Sequence, residues 1–336
     1  MIRVSAKVCL GFCMCVSTAS AWADESAALA PKSELSVTKI PAVDRAAESY
    51  FASDSQRLIF NAKFASDEAF HTYTARLDGS ELLRINDLGE DACSFFFPSG
   101  ERLIFTSTRD NLGMTKGDWS DSANYPQGAE LYTAALDGSK LQRLTNNQYY
   151  DAEVSVSPNG QSILFTRQIE GHLDLWRMRA DGTGEQQVTQ RDDWQKGGAF
   201  YLPDSHTIVY RAWKFADEGK RGKAMDIFLI DEDGGNVRRL TDDGGVNWSP
   251  YPAPDGKHLV FVKMLPPHNF DLFLLNMETK AQQQLTQFEG FDGFPSFSPD
   301  GKKLSFSSSR AAAPGERKLS LFVMDVSSLH LGSGGL

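Results

Sequence analysis

Seven residues ahead of a recurring turn the chain carries Ala46, Asp91, Asp151, Lys196, Asn247 and Asp292. If the repeats close into a ring, these positions open the innermost strand at the rim of a central channel. Three carboxylates and an amide converging there suit a hard cation such as Ca²⁺, which takes oxygen ligands. In that case Asp91, Asp151, Asn247 and Asp292 are the ligands of a metal-assisted lyase or hydrolase acting on polysaccharide, and Arg109 or Arg167 neutralises a substrate carboxylate. A structural role competes for the same groups. Each second strand ends in a base, at Lys63, Arg109, Arg167, Arg211, Lys263 and Arg310. Antiparallel pairing places Asp151 opposite Arg167, and likewise Asp91 near Arg109 and Asp292 near Arg310, as cross-strand ion pairs. Glu153 and Cys93, two residues further along, are expected to line the channel as packing residues.

Aromatic side chains form a second candidate set. Trp119 and Trp213 fall in the two longest connections, Trp194 and Trp248 in connections between repeats, and Tyr149 and Tyr150 join them. Aromatics gathered at one end of a scaffold offer flat apolar area with a polar edge, which fits peptide or sugar recognition. The alternative is that these rings fold inward and stiffen the loops. The chain contains no His-Glu-x-x-His or Gly-x-Ser-x-Gly motif, no Cys/His cluster with zinc spacing, and no phosphate-binding glycine loop. Its six histidines are scattered.

The spacing that places these groups is an internal repeat. An anchor, usually proline, recurs at Ser53, Pro98, Pro158, Pro203, Pro254 and Pro299, with intervals of 45, 60, 45, 51 and 45 residues. A period in that range means one supersecondary unit copied and stacked. Each copy has a first turn such as Pro254-Asp255-Gly256 and then an apolar run such as Leu259-Val260-Phe261. A second turn such as Leu136-Asp137-Gly138 follows, and the copy ends on an apolar residue and threonine, as in Leu240-Thr241. Proline presets φ and glycine accepts the positive φ of a tight turn. An aromatic precedes the second turn at Tyr73, Tyr132, Trp176, Phe228, Phe273 and Phe322, where it is expected to fill the space between units.

Four short strands per copy give one blade, so the fold class is all-β, a six-bladed β-propeller of four-stranded blades over residues 35–326. The last copy lacks a fourth strand. Residues 35–40, Leu-Ser-Val-Thr-Lys-Ile, read as the strand that completes it and hides two edges. All length variation falls between the second and third strands, in Arg109 to Gly128 of blade two and Arg211 to Ala224 of blade four. Variable loops on a rigid scaffold commonly carry binding.

Residues 1–23 read as a Sec-type signal peptide, with Arg3 and Lys7 ahead of an apolar stretch and Ala21-Trp22-Ala23 at the cleavage site. The stretch is too short to span a bilayer. Residues 24–34 read as a linker and 327–336 as a flexible tail. Cleavage leaves Cys93 as the single cysteine and moves the net charge from −10 to −12, because Arg3 and Lys7 leave with the leader. Such a balance excludes nucleic acid as a partner, since phosphates demand basic surface. A monomer is expected.

The phrase from Phe297 to Arg310, with Asp174 to Gly182 and Arg239-Leu240-Thr241, resembles the TolB-type propeller repeat. The resemblance covers nearly all of residues 45–326 and implies a periplasmic platform that binds an envelope protein. The α/β domain that precedes the propeller in that family has no counterpart here. Related blades precede the hydrolase domain of prolyl oligopeptidase-like enzymes. Oligogalacturonide-lyase-like propellers also resemble the repeat and use a metal held by channel histidines, an arrangement that the scattered histidines do not reproduce. The reading is therefore a non-enzymatic, exported, binding propeller without a cofactor. It recognises a protein segment or glycan of the envelope through its long-loop face, with Trp119, Trp194, Trp213, Trp248 and Tyr150 in the site beside Asp91, Asp151, Asn247, Asp292, Arg109 and Arg167.

Overall fold

A computed structural model describes residues 35–316 and 318–333; the expected signal peptide and linker lie outside the described residues. Six four-stranded antiparallel sheets follow one another around an axis. Their inner strands are Ala46–Phe51, Asp91–Phe96, Tyr150–Val156, Trp194–Tyr201, Asn247–Pro252 and Asp292–Phe297. The ring closes as expected, because Val37–Asp44 pairs with Ser320–Asp325 and becomes the outer strand of blade six. Among the described residues no helix is long and apolar enough to cross a membrane.

The turn residues explain the regularity. In the first turns Asp54, Asp204, Asp255 and Asp300 accept hydrogen bonds from the backbone N–H two residues on, at 2.8–3.1 Å. In the second turns Asp78, Asp137, Asp181 and Asp233 do the same at 2.8–3.0 Å. These Asx bonds stand in for backbone hydrogen bonds and fix the hairpins. The threonine that ends a copy turns back to the third strand. Thr145, Thr189, Thr241 and Thr286 accept from the N–H groups of Leu131, Leu175, Ile227 and Leu272 at 2.9–3.0 Å.

The core is not central but sits between blades. One buried apolar cluster occupies each of the six interfaces, for example Leu103, Phe105 and Tyr132 of blade two against Tyr50 and Ile59 of blade one. Each cluster seals one interface, and burial of its rings supplies most of the favourable free energy of stacking. The aromatic before the second turn fills these interfaces, as its spacing predicts.

Two readings need correction. Residues 327–333 are not a loose tail: Leu331 is 1% exposed within the cluster shared by blades five and six. Gly332 packs so closely that a Cβ on Gly301 (φ 68°) would meet its nitrogen at 2.4 Å. Residues 334–336 lie outside the described residues. Trp213, Trp194 and Trp248 also belong to strands rather than connections, Thr207–Lys214, Trp194–Tyr201 and Asn247–Pro252 respectively.

Candidate functional site

Each inner strand contains a bulge just past its start, and the bulged residue takes a left-handed backbone: Glu48, Cys93, Glu153, Gly198, Ser249 and Phe294, with φ of 45–57°. A bulge re-aims the side chain that alternation would otherwise place between blades. Glu153 accepts from Thr166 Oγ1 at 2.9 Å and from the Gly198 N–H at 2.6 Å, and pairs with Arg211 of blade four. Glu48 has no such complement; the Cys93 thiol lies 3.9 Å from its Oε1. Burial first, and then the charge of Glu153, pushes Glu48 up to about 7. Burial likewise pushes the Cys93 thiol up.

Two residues further along, the channel is shut. Tyr50, Phe95, Phe200 and Tyr251, from blades one, two, four and five, meet on the axis with ring centroids 4.9–6.2 Å apart. Blades three and six contribute the small buried Ser155 and Ser296 at this level. Beyond the plug, on the short-turn face, opens a funnel of about 370 Å³. Its collar is Pro98, Pro158, Pro203, Pro254 and Pro299 with Ser53, its floor is formed by the Phe95, Phe200 and Tyr251 rings of the plug, and no charged side chain lines it. The long loops and their tryptophans point instead to the opposite face. The signal for the funnel was nonetheless present, since the four rings all stand three residues before an anchor.

The long-loop face is filled by its own side chains. Tyr150 is 2% and Trp213 is 1% exposed. Tyr125 from the blade-two insertion stacks on Tyr150 at 4.2 Å with an interplanar angle of 14°, and Trp119 packs beside it at 6.1 Å. Trp194 is partly buried under Lys214, whose Nζ lies 4.2 Å from the ring centroid. Trp248 packs edge-on against Phe294 at 5.0 Å. The structure thus gathers Trp119, Trp213 and Tyr150 into one cluster and leaves Trp194 and Trp248 elsewhere. The inward arrangement of the rings prevails in that cluster.

The rim positions diverge as well. Asp151 forms a bidentate pair with Arg167, at 2.6 Å and 2.7 Å, and Asp292 pairs with Arg310 at 2.6 Å. The expected pair of Asp91 with Arg109 does not form. Asp91 faces Ser107 in register, and accepts from the Thr72 N–H at 2.8 Å and from Asn86 Nδ2 at 2.6 Å; Arg109 instead donates to the side-chain oxygen Oδ1 of Asn86. Burial pushes Asp91 up to about 6 against the pull of its hydrogen bonds, and burial also raises Asp292. Asn247 donates to Asp243 at 2.7 Å, while Asn247 Oδ1 and Asp292 Oδ1 lack a partner among the described residues. Among the described residues no three His, Cys, Asp or Glu side chains come together as a metal site.

The family model described as the TolB beta propeller domain matches residues 214–332. The Tol-Pal system protein TolB of Anaeromyxobacter dehalogenans is 30% identical over 180 residues, 51% of this chain and 36% of that protein. The chain spans less than half the length of the curated relatives it matches. Among solved structures, TolB from Acinetobacter baumannii superposes with a TM-score of 0.62 at 19% identity, covering 84% of this chain and 66% of that one. An oligogalacturonate lyase from Vibrio parahaemolyticus gives 0.56 at 15% identity, covering 88% and 95%. At such identities the superpositions speak for fold alone. With six blades in register, the domain match and relatives of that kind, the chain carries a TolB-like six-bladed β-propeller.

Proposed function

We propose that this chain is an exported binding propeller of the bacterial cell envelope, and that it takes an apolar segment of a partner protein into the funnel on its short-turn face. The observation that carries the reading is the funnel itself: uncharged, concave, collared by prolines and floored by the rings of Phe95, Phe200 and Tyr251. A pocket of that size with few polar groups is suited to an apolar side chain or short segment. The rigid floor supports it, because preorganised aromatic surface binds without a further ordering cost. The TolB-like fold and a relative named for the Tol-Pal system support an envelope partner, and the leader-like residues 1–23 support export. Tryptophans packed against their own loops favour this face over the long-loop face for a protein segment.

Photo-crosslinking tests the assignment. A benzophenone amino acid is placed at exposed Ser53 on the funnel collar, and separately at exposed Lys116 on the blade-two insertion, in the full chain expressed in cells. Capture of an envelope protein from Ser53, lost when Phe200→Lys puts a charge in the funnel floor, is the expected result. Capture from Lys116 alone overturns the choice of face.

A further inference from the structure

The outer-strand residue opposite each interblade aromatic is a base in four blades. Arg84 faces Tyr73, Arg143 faces Tyr132, Arg239 faces Phe228 and Lys39 faces Phe322. The three arginines share one posture. Each Nε donates to the carbonyl two residues on, at Asn86, Thr145 and Thr241, over 2.7–2.9 Å. Each guanidinium also reaches a buried carboxylate, Asp67, Glu130 or Asp226. A guanidinium is therefore part of how a blade packs its outer edge.

Blades three and five place glutamine at this position, Gln187 opposite Trp176 and Gln284 opposite Phe273. Gln284 still donates to Asp271 at 3.0 Å. Gln187 is exposed and makes no hydrogen bond to Asp174, the blade-three counterpart of Asp226. Beside it lies a cavity of about 210 Å³, walled by Arg167, Glu170, His172, Asp174, Trp176 and Arg191. The buried carboxylate and the ring are in place, the outer strand supplies no guanidinium, and Lys196 of blade four takes up only part of the charge of Asp174.

The cations near the cavity are each already paired. Arg167 is committed to Asp151 and Glu185, Arg191 to Glu170, and Lys196 is shared between Asp174 at 3.2 Å and Asp192 at 2.6 Å. The cavity walls themselves balance, Arg167 and Arg191 against Glu170 and Asp174, and the carboxylates behind them, Asp151, Glu185 and Asp192, with Lys196, leave the wider cluster negative by two charges. Asp174 is only 5% exposed, so attraction to it is weakly screened.

We propose that this cavity is a seat for a guanidinium group carried by a ligand, entering beside Gln187 to lie along Trp176 and reach toward Asp174. Arg167, 4.8 Å from the Trp176 centroid, forms its fixed wall. A planar guanidinium matches the carboxylate and the ring together, which a compact ammonium does not. The site is at the outer edge of blade three, and its existence is independent of the funnel.

The test is a titration of the ¹⁵N-labelled full chain with agmatine, read on the Trp176 indole N–H, which a Trp176→Phe variant assigns. Saturable shifts at millimolar agmatine, with no response to urea, are expected. Gln187→Arg should supply the missing group from within: it abolishes the agmatine response and raises the melting temperature. Gln187→Ala keeps the response. A wild-type indole that does not saturate, or an unchanged response in Gln187→Arg, overturns the proposal. A Gly-Arg-Gly peptide distinguishes the source: shifts at the same concentrations assign the seat to a peptide side chain, and shifts with agmatine alone assign it to a free guanidino compound. Loss of funnel crosslinking leaves this outcome untouched, and the reverse holds.

Discussion

Ser122 and Glu218 stand 96 residues apart, yet the hydroxyl of one donates to the carboxylate of the other across the top of blade three. Glu218 also accepts from Trp213 Nε1 at 2.9 Å and Lys223 Nζ at 2.7 Å. Burial alone would raise its pKa, but these donors, Lys223 and Ser122 foremost, hold it down to about 2. The two insertions are thereby latched into one roof. Glu218→Ala leaves three buried or half-buried donors unserved, and should cost about 1–3 kcal/mol by thermal melts. Acrylamide quenching should show Trp213 newly accessible; quenching equal to wild type would contradict the latch.

The bidentate pair of Asp151 with Arg167 is 0% and 7% exposed by side chain. Arg167→Met leaves a buried carboxylate without its partner, and chemical denaturation should report a loss of about 3–5 kcal/mol. Asp91→Asn breaks no pair with a guanidinium and should cost far less at neutral pH, because Asp91 faces hydrogen-bond donors and, at 4.0 Å, His71, whose protonation burial disfavours. Equal losses at the two sites would contradict the distinction between paired and unpaired rim carboxylates.

Glu48 makes stability depend on pH. Its carboxyl titrates at about 7 in the folded chain against 4.5 for an ordinary glutamate. Between those values the folded protein keeps a proton that the unfolded chain has released, so stability falls as pH rises through the window and levels off above it. Glu153 of blade three, Arg211 of blade four and Cys93 of blade two face it across the channel. Glu48→Gln should match wild type below pH 4.5 and exceed it above pH 7 by about 1–3 kcal/mol. Melting curves of the two proteins that stay parallel from pH 4 to pH 8 would exclude this role.

Ring closure rests on Val37–Asp44, paired with Ser320–Asp325 from Val37 opposite Met324 to Asp44 opposite Ser320. Deleting residues 35–44 exposes the edge of blade six and opens its interface with blade one, where Ile40 and Val43 are buried. Calorimetry should show a broadened, non-two-state transition, and a single sharp transition would mean that the remaining chain holds the ring by itself.

The sequence by itself determined what repetition can encode. Anchor spacing, Asp-Gly turns, closing threonines and the interblade aromatic fixed six blades, and they even located the closing strand. Each depends on contacts within one blade or between neighbours, so each leaves a periodic trace. The Asp151–Arg167 pair was legible for the same reason, because register alone sets those residues opposite one another. The tertiary structure decided everything that depends on position around the axis. Tyr50, Phe95, Phe200 and Tyr251 meet only because four blades face one another across the channel. Ser122 finds Glu218 only because a loop crosses the tight hairpin of blade three. Trp119 and Trp213 turned inward because desolvated rings gain more against Tyr150 and Leu173 than against water, a choice between two surfaces that exist only once the ring has closed.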